Sequence, residues 1–450
     1  MRSAVAIVLC LAAGAAGLVG QASRQKTLDI YYIDTEGGQS TLFVAPSGET
    51  LLVDTGNSGD RDLGRIVETL KGAGVKQIDH MWTTHYHSDH VGALLALAKE
   101  FPMMHFYDHG TPNPGDRIVS AAFLTAYEEL SKGKRTIIKP GDKVRMTGLD
   151  VTTVASANQF IRTNLPGGGK ANPACAGVKP KDESTYIDPD NGDSAGFIMT
   201  YGKFRTADLG DLTWNGEMDL MCPTNRIGTV DLYLVSHHGL DKSGSPALVN
   251  ALAPRVAVMN NGTRKGGAPD VFKGLFAAPG LEDVWQLHWS YNAGLDNFPA
   301  AFIANVDDNA TVAGVLTAPP PAPRGGGPGG PGGPGGFGPG APPAAGGAVA
   351  PPAAPGAAGP PAAPVAGAPA GSVPPQAAAG GPPAGAPAGP GGAGGPGGPG
   401  RQGGGRGGPG GGAAAAHTPA HLIKVSAQAD GSFTVTNTRS GFSKTYQPRP

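Results

Sequence analysis

The apolar-rich runs 28–33, 40–46 and 49–54 read as strands, whose side chains repeat every two residues, with Gly37-Gly38 and Ser47-Gly48 at the turns between them. The period then changes. Leu63, Ile66, Val67 and Leu70 fall at i, i+3, i+4 and i+7, a single apolar stripe that predicts a helix over 61–73. A strand is predicted at 78–84 and a second helix at 91–101, with Leu94, Leu95 and Leu97 turned inward. Strands alternating with helices predict an α/β (α+β) chain whose sheets are covered by helices. The segment 113–193 is polar and Gly-rich and is expected to loop over one face. Beyond it, 195–201 and 203–207 form a hairpin across Gly202, and strands follow at 230–236, 255–260 and 284–289, with a helix at 246–252 between the first two.

The tail repeats the strand period. Ile423, Val425 and Ala427 alternate, Asp430-Gly431 is a two-residue turn, and Phe433 and Val435 alternate in the return strand. A lone hairpin is marginal in water, so this one is expected to pair with the sheet of the preceding domain. Composition then explains what lies between. Of the 74 Gly and 44 Pro in 450 residues, 36 Gly and 26 Pro lie at 319–412, without the G-X-Y register of collagen. The tract reads as a long loop inserted in one domain, because closure entropy grows only logarithmically with length. The expected organisation is a signal peptide at 1–22, a main domain at 23–318, a low-complexity insertion at 319–416 and a returning hairpin at 417–450.

Charge and cysteine usage narrow the setting. The formal net charge is -1, and Arg324, Arg401 and Arg406 are the tract's charges, so the rest is acidic and unlike a basic protein that coats nucleic acid. Arg2, an apolar run at 4–19 and Gly20-Gln21-Ala22 read as a cleavable export signal, which predicts a periplasmic or secreted protein without a membrane span after cleavage. Cys10 lies inside that apolar run. Cys175 and Cys222 then face an oxidising compartment, where they read either as one disulfide or as two separate buried thiols.

The chemistry sits in one short loop. In Thr84-His85-Tyr86-His87-Ser88-Asp89-His90, between a predicted strand and helix, four metal-ligating side chains fall within six residues. His85 and His87 share a side in extended chain, while Asp89 and His90 fall where the chain turns and can serve a second position. Imidazole and carboxylate ligands suit zinc, with manganese or iron as substitutes. The sequence has neither a G-x-S-x-G nucleophile motif nor a P-loop.

The run HYHSDH resembles the HxHxDH signature of the metallo-β-lactamase fold, an αββα sandwich with a one- or two-metal hydrolytic site. Flanking segments are similar too: Leu51-Leu52-Val53-Asp54-Thr55-Gly56, Leu209-Gly210-Asp211, and Val235-Ser236-His237-His238-Gly239, the last like the HHG of the branch related to ComEC-type competence proteins. The resemblance implies that His85 and His87 hold a first metal and Asp89 and His90 a second. It implies that Asp211 bridges them, with Asp208 as its competitor, and that one of His237 and His238 completes the second site. His237, which follows the strand directly, is favoured as that ligand, leaving His238 to donate a proton to the leaving group. Asp54 is expected to orient a ligand histidine.

One feature departs from the family. Many members supply a third histidine to the first metal before the Gly-Asp, and here that interval holds His105 and His109, both early, while Asn191-Gly192-Asp193-Ser194 occupies the place of an Asn/Ser segment. His288 is expected to be a core or supporting histidine. Arg264 and Lys265, with Asn261, are candidates for binding a substrate phosphate or carboxylate. The implied function is an exported hydrolase using metal-activated water on a small-molecule phosphoester or a phosphodiester, nucleic acid included. The alternatives are β-lactam or lactone hydrolysis, or an iron-dependent oxidoreductase. A di-iron reductase of this scaffold would carry Glu in place of His87.

Overall fold

The computed structural model describes residues 26–306 and 419–449. The predicted signal peptide, the whole of the predicted insertion at 319–416, and residues 23–25, 307–318, 417–418 and 450 of the expected main domain and hairpin lie outside them.

Along the chain, β1 (Leu28–Tyr32), β2 (Thr41–Val44), β3 (Thr50–Val53), α1 (Asp60–Gly72), β4 (Ile78–Trp82), α2 (Ser88–Val91), α3 (Leu94–Leu97), β5 (Met103–Asp108), α4 (Ala121–Ser131) and β6 (Arg135–Ile137) build the first half. The second half runs β7 (Lys143–Met146), β8 (Leu149–Ser156), β9 (Gln159–Phe160), β10 (Lys170–Ala171), β11 (Gly196–Tyr201), β12 (Phe204–Asp208), α5 (Trp214–Met221), β13 (Thr224–Asn225), β14 (Leu232–Leu234), α6 (Pro246–Leu252), β15 (Val256–Met259), α7 (Pro269–Ala277), β16 (Asp283–His288) and β17 (Ile303–Asn305). The tail adds β18 (Ile423–Ala427), β19 (Phe433–Asn437) and β20 (Ser443–Tyr446).

Two sheets result. The first has the order β20-β19-β18-β1-β2-β3-β4-β5-β6, and the second runs β17-β16-β15-β14-β12-β11-β8-β7. In each, antiparallel pairs give way to parallel ones, at β3/β4 and at β12/β14. Leu28, Ile30 and Tyr32 of β1 share one buried cluster with Phe197 and Ile198 of β11 and Val425 of β18, so the core lies between the sheets. Ile66, Val67 and Leu70 of α1 pack with Leu42, Leu52 and Met81 on the other face of the first sheet. The stripe predicted from sequence is that buried face. The architecture is the αββα sandwich.

The tail hairpin joins the first sheet through β18, which pairs antiparallel with β1 in the register Ile30↔Val425. Where β17 ends, the Asn305 side chain bonds both backbone groups of His421, donating to its carbonyl and accepting from its amide at 2.9 Å each. The chain thus leaves and re-enters the described fold at one side chain.

Two expectations are corrected. The helix predicted at 91–101 is two short turns, α2 and α3. They part at Gly92, whose amide donates to the Gly56 carbonyl at 2.8 Å instead of to the preceding turn, and where a Cβ would lie 2.2 Å from the Ser58 amide nitrogen. The segment 113–193 is not merely a covering loop: it contributes α4, the edge strand β6 of the first sheet, and β7 and β8 of the second. β8 eluded the pattern because Thr152 and Thr153 are buried beside Val151 and Val154, so its polar side chains do not mark a solvent face. Cys175 and Cys222 form a disulfide that ties this segment to the end of α5.

Candidate metal centre

The loop after β4 is shaped from below by one carboxylate. Asp54, just past β3 and at φ 57, is fully buried. Its Oδ1 accepts from the Thr84 amide at 2.8 Å, and its Oδ2 from Thr84 Oγ1 at 2.6 Å and His90 Nδ1 at 2.7 Å. In its neutral form His90 therefore carries its hydrogen on Nδ1 and offers Nε2 to a metal. Burial opposes a charge on the ring, but Asp211, Asp89 and Asp54 outweigh it and hold its pKa well above the ordinary imidazole value, so a metal takes the place of a proton there. From the opposite sheet comes Asp211, after β12. Gly210, at φ +55, lets the two loops meet, since a Cβ there would sit 2.7 Å from Thr84 Cβ.

Around Asp211 the predicted residues converge. Its Oδ2 lies 3.2 Å from His90 Nε2, 3.3 Å from His238 Nε2, 3.4 Å from His237 Nε2 and 3.9 Å from His85 Nε2. His90 and His238 approach each other at 3.3 Å, and an oxygen of Asp89 lies 3.4 Å from His238 and 3.7 Å from His90. Asp89, His90, Asp211 and His238 thus offer one ligand atom each within 4.8 Å of one another. Four ligands on zinc with bonds of about 2.0–2.1 Å stand about 3.3 Å apart in a tetrahedron, and these spacings match. Asp211 Oδ1 is buried without a hydrogen-bond partner, so this carboxylate keeps an oxygen lone pair that no protein group uses. On the other side, His85 Nε2 and His87 Nδ1 face each other at 3.0 Å. The residues fit one or two divalent cations.

The charges are set by this packing. Burial alone would raise Asp211, but His238, His90 and His237 outweigh it and hold the carboxyl well below its usual range. Burial likewise opposes ionisation of Asp89, and Lys265 and His90 overcome it. Burial pushes His237 down to about 4 and, with its histidine neighbours, takes His85 well below the ordinary imidazole value.

Several candidates are placed differently from expectation. His238, not His237, joins the group of Asp89, His90 and Asp211. Both residues are left-handed, at φ 56 and 57, so the chain coils tightly and the ring farther from the strand swings onto the second position. Asp208 is also outside the group, since its oxygens accept from Gln39 Nε2 at 3.1 Å, and burial pushes it up to about 7. Asn261 is buried, and its side-chain amide donates to the carbonyls of Gly262 and His288 at 2.9 Å each. Arg264 lies over the Tyr291 ring at 4.8 Å. Lys265 does reach the centre, where its ammonium pairs with Asp89. His288 stands apart, 2.6 Å from Asp34, in a network whose carboxylates Asp34 and Glu36 also pair with Arg65. His109 rests on Asp190 and His105 stacks on His80, so neither adds to the centre.

Sequence reasoning missed Asp116. Its Oδ2 lies 2.7 Å from His87 Nε2, and its Oδ1 accepts from the amides of Ile118 and Val119. It fixes the His87 tautomer as Asp54 fixes that of His90. It stands 29 positions after His87 in a loop, and no spacing rule points to it.

Residues 34–142 match the model of the metallo-beta-lactamase superfamily. Among curated proteins the chain is 25% identical over 228 residues to the competence protein ComA of Neisseria gonorrhoeae, covering 50% of this chain and 26% of that protein. It is 32% identical over 85 residues to an atrochrysone carboxyl ACP thioesterase of Aspergillus fumigatus, covering 18% of this chain and 20% of that one. This chain therefore spans well under half the length of either relative. Among solved structures it is similar to the metallo-beta-lactamase fold protein YhfI of Bacillus subtilis, with a TM-score of 0.36 and 12% identity, covering 58% of this chain and 96% of that one.

Proposed function

From a metallo-β-lactamase-fold domain related to competence proteins, we propose a metal-dependent hydrolase that acts on phosphodiester or phosphoester substrates. The observation that carries this reading is that the ligand atoms of Asp89, His90, Asp211 and His238 lie within 4.8 Å of one another, with His90 and His238 3.2 and 3.3 Å from Asp211 and 3.3 Å from each other. Those residues would hold one cation, and His85 and His87, with Asp211 shared, would hold another. Bound divalent cations, zinc first with manganese or iron as substitutes, supply the Lewis acidity that activates water and polarises the substrate oxygen.

The remaining work falls to the chain. Asp54 and Asp116 hold His90 and His87 in the tautomers that leave the facing nitrogens bare. Lys265, 40% exposed at the rim and paired with Asp89, is the cation best placed to meet an anionic substrate oxygen. Arg264 and Asn261 have no part in this reading. An acyl substrate is the second reading, and its support is the 85-residue similarity to a protein named as a thioesterase.

Export is part of the proposal. The Cys175–Cys222 disulfide supports an oxidising compartment, and among the described residues no helix is long and apolar enough to cross a membrane. The deciding experiment is a screen of chromogenic phosphodiester, phosphomonoester, thioester, lactone and β-lactam substrates with zinc or manganese added. Turnover of the phosphoesters supports the reading, and turnover of acyl substrates alone would replace it with the second.

A further inference from the structure

His237 is left over once His238 takes its place beside Asp89 and His90. It is fully enclosed at 4% exposure, in a strained left-handed backbone at φ 56, ψ 40. Strain of this kind persists where the surroundings over-determine it. Here the His237 amide donates to the Gly210 carbonyl at 3.1 Å, and its own carbonyl accepts from the Leu240 amide at 2.8 Å. The ring is therefore held against Asp211 from both sides of the chain.

Its tautomer can be read from its neighbours. Ser243 Oγ donates its one hydrogen to the Leu212 carbonyl at 2.8 Å. The same oxygen lies 3.2 Å from His237 Nδ1, and with its hydrogen spent it can only accept there. Nδ1 thus carries the ring hydrogen in the neutral imidazole, and Nε2 is bare. Asn191 Nδ2 lies 3.5 Å from Nε2, a donor facing an acceptor. A bare nitrogen has no proton to give a leaving group. It has a lone pair, and it points at Asp211 Oδ2 from 3.4 Å.

The rings around this carboxylate oxygen differ in their company. His90 and His238, 3.2 and 3.3 Å from it, group with Asp89, whereas His237, 3.4 Å from it, stands outside that group, and so does His85, 3.9 Å from it, whose Nε2 faces His87 Nδ1. We infer that His237 is the third nitrogen ligand of the first metal position, completing a donor set of His85 Nε2, His87 Nδ1, His237 Nε2 and Asp211. The inference rests on the metal-binding reading above and deepens it. The position lacking a histidine in the linear motif is filled from the HHG loop, and Ser243 is its positioning residue.

Metal content tests this with an internal control for folding. Wild type, Asp89→Ala, His237→Ala and the double variant are each equilibrated with zinc, desalted and analysed for zinc per chain. The expected results are two ions, one, one and none. The ion kept by His237→Ala shows that the second position, and so the fold around it, is intact. Two ions retained by His237→Ala, or both lost, overturns the inference, since the first result makes the ring dispensable and the second makes it a general structural support. Wild type without zinc overturns the metal-binding reading itself, and the inference with it. Ser243→Ala, read by zinc titration in the Asp89→Ala background, is expected to weaken the remaining ion about tenfold to a hundredfold. Unchanged affinity removes Ser243 from the assignment.

Discussion

Asp54 Oδ2 accepts a 2.7 Å hydrogen bond from His90 Nδ1, and both groups are completely buried. The carboxylate has no direct access to a substrate, yet it decides which nitrogen of His90 faces Asp211. Asp54→Asn can offer its amide group to that nitrogen and favour the wrong tautomer. We predict a loss of about tenfold to a hundredfold in zinc affinity and a parallel fall in hydrolysis, measured by competition with a chromophoric chelator. Unchanged affinity would falsify the orienting role.

His87→Ala and Asp89→Ala each remove a donor from a different side of Asp211. Each is expected to lower bound zinc by one ion per chain and to cut turnover at least about a hundredfold. Chelation of the wild type should abolish turnover reversibly, with activity returning on addition of zinc or manganese. Full activity after exhaustive chelation would remove metal from the reaction.

Lys265 and Arg264 are adjacent in sequence and differ in placement. Lys265 pairs with Asp89, while Arg264 lies over Tyr291. Lys265→Ala is expected to raise KM for anionic substrates about threefold to tenfold, the effect of one charged contact. Arg264→Ala should leave KM within twofold. Steady-state kinetics on matched anionic and neutral esters separates the two residues, and equal effects on both esters would argue against charge recognition.

Burial pushes Asp208 up to about 7, and the Asp54 carboxylate adds to that shift. An acid whose folded value lies above its unfolded value holds its proton longer in the folded state. Stability is then fully present below the unfolded value near pH 4 and is lost as pH rises toward 7. Thermal unfolding of the metal-free protein should show that decline. Asp208→Asn should reduce it by on the order of 1–4 kcal/mol. A decline of equal size in the variant would assign it to other groups, Glu217 among them, since burial pushes that carboxyl up to about 7 as well.

Removing 319–412 and joining the ends should leave the fold and the metal content intact, because the Asn305–His421 contacts and the β1/β18 pairing lie outside the deletion. Circular dichroism and zinc analysis check this. Loss of both would give the tract a structural role.

How much of this was legible depends on distance along the chain. His85, His87, Asp89 and His90 are consecutive enough for their spacing to announce a site, and the stripe of Leu63, Ile66, Val67 and Leu70 does the same for α1. Asp54 and Asp211 were found through segments resembling family motifs. The choice between His237 and His238 turns on two left-handed backbone angles, which no side-chain pattern encodes. Asp116 and Ser243 act from loops brought close by the sandwich, and each alone looks like an ordinary turn residue. In β8, buried threonines hid a central strand.

Asn305 recognises His421 through backbone atoms alone, so the contact asks nothing of the side chain at 421. It works as a socket. Closing a loop between such a fixed pair of ends costs only about 0.6 kcal/mol more for each doubling of its length. The span between the two residues can therefore change in length and composition without altering that contact. It is also the place to graft a reporter or a second module away from the candidate metal ligands.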